Sequence, residues 1–129
     1  VLRVISPARQ NISPLPRLKR RSEFLRVARD GRKWAAPGLV LQAWRRRGAA
    51  GAEAGSRVGL TVTRKVGNAV VRNRARRRLR AVAEEVLARH GREDTDFVVI
   101  GRAATLKRPF RLLIGDLEKA LKKLDAYRD

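Results

Sequence analysis

Eight Arg or Lys and no acidic residue fall between positions 64 and 80, in "RKVGNAVVRNRARRRLR". Guanidinium groups stay protonated at neutral pH, so this is not acid–base chemistry. Arginines pair with anionic oxygens, often through two parallel N–H···O bonds. Read as a helix over 70–90, the stretch divides. Val71, Ala75, Leu79, Val82 and Val86 fall on one stripe that must be buried. Arg72, Arg76 and Arg80 make a row along one flank, with Asn73 and Arg77 beyond them on the solvent side. Arg74 and Arg78 take the opposite flank. Like charges one turn apart repel by roughly 0.2–0.5 kcal/mol per pair. Arginines in the first turns also oppose the positive end of the helix dipole. Two local rules fail in one place, as expected at a functional site. Phosphates reverse both penalties.

No other group of residues makes a catalytic constellation. The chain has one histidine, His90, and no cysteine. His90 ends the arginine helix beside Gly91, where it can complement the helix C-terminus. Glu84, Glu85, Glu93, Asp94 and Asp96 gather near that end and read as charge balance. Neither catalytic residues nor a metal site of the chain's own is expected. "KVGNAV" is a strand-to-helix turn and lacks the GxxxxGK[ST] pattern of a P-loop.

The composition agrees with a polyanionic partner. A net charge of +20 on 129 residues works against a compact state unless something neutralises it. Nucleic acid is the first candidate, through counterion release; a membrane surface is the second. No apolar run approaches the roughly 20 residues of a membrane span. The absence of cysteine fits a reducing compartment, and a cytoplasmic location is expected.

The elements that position the arginines follow from patterning. Residues 1–16 carry three prolines and no acid, and read as a flexible basic extension before one domain over 17–129. Prolines there also argue against an amphipathic presequence helix. Ser22 is a candidate cap for a helix over 23–30, with Gly31 suited to a left-handed C′ position. Strands are expected over 32–36, 39–44, 57–63 and 96–102, with a Gly/Ala-rich connection over 45–56. Pro109 opens a last helix. Phe110, Leu113, Leu117, Leu121 and Leu124 supply its core stripe, which Gly115 interrupts or delays. The order is α-β-β-β-α-β-α, an α+β sandwich.

The stretch "GLTVTRKVGNAVVRNRARRRLR", with "RSEFLRVARDGRK" before it and "DFVVIGR" after it, resembles the bacterial ribonuclease P protein family over about residues 17–125. The resemblance implies a two-layer sandwich like ribosomal protein S5 domain 2, with a left-handed crossover between parallel strands. The general handedness rule would give the opposite hand. It also implies a function. A catalytic RNA subunit removes the 5′ leader of precursor tRNA using Mg²⁺ held mainly by RNA, and one protein per RNA assists. Neither membrane nor DNA is an expected partner. The motif carries Arg64, Lys65, Asn68, Arg72, Asn73, Arg74, Arg76, Arg77 and Arg80 over as RNA-binding residues. Phe24, with Arg72, Asn73, Arg76 and Arg80, would line the leader-binding cleft.

The chain departs from the family at three places. Ala28 and Gln42 stand where aromatics are common, and Arg78 where the family is usually apolar. Trp34 and Trp44 are candidate replacements for the missing aromatics, and core packing is the other reading of each. The alternative function is a ribosomal or other structural RNA-binding protein. A basic leucine-zipper reader is the weaker rival, because Gly91 ends the helix after too few heptads.

Overall fold

The structure, a computed structural model, describes residues 15–46 and 55–129. Most of the expected extension over 1–16 and of the connection over 45–56 lies outside the described residues. The elements are α1 (Arg21–Asp30), β1 (Arg32–Ala35), β2 (Leu39–Arg45), β3 (Arg57–Thr61), α2 (Ala69–His90), β4 (Thr95–Gly101) and α3 (Phe110–Lys123). Short 3₁₀ turns at Arg64–Val66 and Ala103–Leu106 lead into α2 and α3. The order matches the patterning.

The strands form one sheet in the order β1-β2-β4-β3. β1 with β2 and β2 with β4 are antiparallel; β3 and β4 are parallel and joined through α2. β4 is the most apolar strand, and its central place buries it almost throughout. Residues of alternate parity face opposite sides. Leu39, Leu41, Ala43, Val58, Phe97 and Val99 line the face covered by α2 and α3, where the main core lies. Val40, Gln42, Trp44, Gly59, Val98 and Ile100 share the other face by register. There Phe24 and Val27 of α1, with Leu18, build a smaller cluster on Val98. The first helix thus sits across the sheet from the arginine helix.

α2 buries Ala75, Leu79, Val82, Ala83, Val86 and Leu87. Burial of a Leu or Val side chain contributes roughly 1.5–3 kcal/mol, against roughly 0.2–0.5 kcal/mol lost per repelling pair. Packing therefore wins over the charge row.

Several local expectations are corrected. Ser22 does not cap α1; Glu23 Oε1 accepts the Lys19 and Arg20 N–H groups at 2.7 and 2.9 Å. Gly31 is extended, with φ −91°. Glycine is needed there because a Cβ would stand 2.5 Å from the Ala43 oxygen and 2.6 Å from that of Val27. Gly115 does not interrupt α3, which runs on through it. Phe110 heads the stripe of α3 but is 40% exposed, while Leu113, Leu117 and Leu121 are fully buried. Its turn lies beyond the end of the core.

The segment before α3 is fixed by polar contacts. Buried Asp116 accepts the Gly38 N–H at 3.0 Å and two N–H groups of Arg108, at 2.6 and 3.0 Å. Thr105 Oγ1 donates to the Gly38 oxygen and accepts the Arg102 N–H. These bonds hold the turn between β1 and β2 against the middle of α3 and the 3₁₀ turn before it.

Candidate nucleic-acid interface

The chain enters α2 through a constrained turn. Gly67 has φ 158° and ψ −167°, a region occupied almost only by glycine. A Cβ there would stand 2.7 Å from Val71 Cγ1. Asn68 Oδ1 accepts the Val71 N–H at 3.0 Å and caps the helix. Arg64 and Lys65 are exposed on the 3₁₀ turn immediately before it.

The helix presents its arginines on two flanks, as their spacing predicts. On one, Arg80 lines a small crevice with Leu15, Arg17, Val58 and Leu60, so the Arg72–Arg76–Arg80 row runs along the β3 edge. Arg76 Nη1 donates to Asn73 Oδ1 at 2.9 Å. The Nε atoms of Arg72 and Arg80 are buried without a hydrogen-bond partner. Among the described residues, none of Arg72, Arg74, Arg76, Arg77 and Arg80 pairs with a carboxylate; the ion pairs fall on other arginines. Asn73, Arg74 and Arg77 are exposed.

Arg78 behaves differently. Its guanidinium donates to the carbonyls of Thr105, Leu106 and Arg108 at 2.6–2.8 Å. It ties α2 to the turn before α3 and satisfies three carbonyls there. The cation is therefore internally bonded rather than free at the surface.

Across the sheet, the Phe24 ring lies on Gly59. A Cβ at Gly59 would stand 2.6 Å from Phe24 Cζ, so the glycine gives the ring its seat. Trp44 joins the same cluster, and Arg26 lies over its ring at 5.4 Å from the centroid. Trp34 pairs with Leu41 in register and packs on the opposite, helix-covered side, with Lys123 Nζ 5.4 Å from its ring. Only Trp44 shares a face with Phe24 and Gln42. Ala28 is exposed and carries no ring.

An ion-pair relay fixes α1 on this face. Asp96 is 1% exposed and accepts Arg57 Nε and Nη2 at 2.9 and 2.7 Å, and it also pairs with Arg46. Arg57 Nη1 continues to Glu23 Oε2 at 3.0 Å. The Arg20 and Lys19 backbone N–H groups, with Arg57, hold the Glu23 carboxyl below its usual range. Asp96 raises Arg57 above its ordinary value. The sequence reading missed this relay. Its only trace was Arg57 and Asp96 at the starts of two strands, and register makes them neighbours.

The acidic cluster is mostly used by arginines. Asp94 pairs with Arg45, Glu85 with Arg89 and Glu93 with Arg128. No group of three His, Asp or Glu placed to hold a metal occurs among the described residues. His90 stacks on Tyr127 at 4.7 Å, and its Nδ1 donates to the Arg128 carbonyl. Arg128 serves the C-terminus of α2, donating to the carbonyls of Gly91 and Ala88. No helix among the described residues is long and apolar enough to cross a membrane.

Known proteins resemble this chain in sequence and in fold. The family described as Ribonuclease P matches residues 13–125. The ribonuclease P protein component of Paramagnetospirillum magneticum is 54% identical over 114 residues, covering 88% of this chain and 86% of that protein. That of Ruegeria pomeroyi is 52% identical over 110 residues, covering 84% and 86%. The Staphylococcus aureus RNase P protein superposes with a TM-score of 0.70 at 24% identity, over 87% of this chain and 97% of that one, a likeness of fold. The Thermotoga maritima RNase P protein gives 0.65 at 25% identity, over 84% and 94%. With a row of arginines that pair with no carboxylate among the described residues and relatives matched over most of their length, the chain belongs to the ribonuclease P protein family.

Proposed function

We propose that this chain is the protein subunit of bacterial ribonuclease P, working in the cytoplasm, one copy per catalytic RNA. It binds that RNA and the 5′ leader of precursor tRNA, and so assists removal of the leader. The observation that carries the reading is the pair of surfaces on α2 and α1. One is a row of arginines with no carboxylate partners along the β3 edge. The other is an aromatic face built by Phe24 and Trp44 on the far side of the same sheet. Cations neutralise phosphates, and rings stack on unpaired bases irrespective of sequence. Arg72, Asn73, Arg76 and Arg80 serve the leader beside Phe24. Trp44 supplies part of the stacking surface missing at Ala28 and Gln42. Arg64, Lys65, Asn68, Arg74 and Arg77 meet catalytic-RNA phosphates.

Mg²⁺ belongs to the RNA in this reading. The buried carboxylates Asp96 and Asp116 are held by arginines, and Glu23 by backbone N–H groups and Arg57. They leave no set of free oxygens for a divalent cation among the described residues. The ion would supply the phosphodiester chemistry. The protein contributes positioning and positive potential.

Reconstitution tests the reading. Adding the protein to a bacterial ribonuclease P RNA at low Mg²⁺ should stimulate 5′ cleavage of precursor tRNA. Unchanged cleavage would instead favour a ribosomal or other structural RNA-binding role.

A further inference from the structure

We propose that the segment 107–112 is a third RNA-binding surface, on which Phe110 stacks against an unpaired base of the catalytic RNA. The inference rests on the functional reading above and assigns a contact outside the arginine helix and the Phe24 face. Phe110 and Leu112 are 40% and 45% exposed, two of the four large apolar side chains open to solvent among the described residues. Lys107 and Arg111, which flank Phe110 in sequence, are both exposed. The chain from Phe97 to Gly115 contains no acidic residue. The next one, Asp116, is buried and committed to Arg108 and Gly38. An exposed ring between unpaired cations has the chemistry of a platform for single-stranded nucleic acid.

The platform is fixed in place. Arg78 grips the carbonyls of Thr105, Leu106 and Arg108, so the segment continues the Arg74–Arg78 flank of α2. Val70, 67% exposed, begins that same helical row one turn before Arg74. The occupant follows from the flank of α2. Arg78 ties Phe110's segment to the Arg74 flank, whereas the leader is placed along the other flank, where Arg80 meets the β3 edge. The RNA that meets the Arg74 flank therefore reaches Phe110, and that is the catalytic RNA.

Phe110→Leu keeps the apolar volume and removes the ring. Its affinity for ribonuclease P RNA, measured by filter binding, should fall roughly 5- to 150-fold, the range of one base–aromatic stack. The salt dependence of binding should stay unchanged, because no charge is removed. Phe110→Tyr should bind within about twofold of the parent, since the ring is kept. Parental affinity for Phe110→Leu, or an equal loss for Phe110→Tyr, overturns the inference. A variant with Arg64, Arg74 and Arg77 all replaced by alanine separates this failure from that of the functional reading. If it loses affinity while Phe110→Leu does not, only the platform is wrong. If neither loses affinity, the functional reading falls with it.

Discussion

Replacing Arg72, Arg76 and Arg80 together by alanine should weaken binding of precursor tRNA by the assembled protein–RNA complex by about 100-fold or more at low salt. A hydrogen bond to a charged group is worth about 1.5–3 kcal/mol, and three guanidinium groups lose theirs. The slope of log affinity against log salt should become shallower by about one for each phosphate that is no longer neutralised. Folding should survive. Alanine is the best helix former, and three repelling charges disappear from one flank. The Nε atoms of Arg72 and Arg80 are already buried and unpartnered, so truncation there breaks no internal hydrogen bond of theirs. The signature is therefore a large loss of binding with thermal stability kept. An unchanged salt slope would mean that the row does not meet phosphates.

Replacing Asp96 by alanine should have the opposite signature. This carboxylate is 1% exposed and balances Arg57 and Arg46. Breaking a buried pair by removing one partner costs about 3–5 kcal/mol, because the other charge is left uncompensated. Arg57 also holds Glu23, so α1 and the Phe24 ring loosen as the relay fails. Thermal or denaturant unfolding would read the loss directly. A change below about 1 kcal/mol would show that solvent, not Asp96, balances these arginines.

The two predictions rest on features that were not equally legible. The split of α2 into a buried stripe and two arginine flanks could be read from spacing alone, because helical period and residue type carry it. The strands were legible for the same reason, since period two separates Val58 and Leu60 from their neighbours. What one strand cannot reveal is which residue lies opposite on the next. The Arg57–Asp96 relay and the separation of Trp34 from Trp44 both depend on register. Gly59 looked like any strand glycine until the Phe24 ring was found on it. Arg78 stands out in the sequence as a charge beside the buried stripe, but spacing does not show that its acceptors are carbonyls 27 to 30 residues away. Phe110 misled because periodicity says which side of a helix is apolar, but not where the core beneath it ends.

The central claim is that this protein, seated on the catalytic RNA, grips the leader. Affinity of the RNA for precursor tRNA and for mature tRNA, each with and without the protein, tests it most directly. The protein should tighten binding of the precursor and leave that of mature tRNA nearly unchanged. Replacing Arg76 by alanine should remove much of that difference. Equal tightening of both substrates would contradict the claim and would mean that the arginine row and the Phe24 face hold RNA common to both.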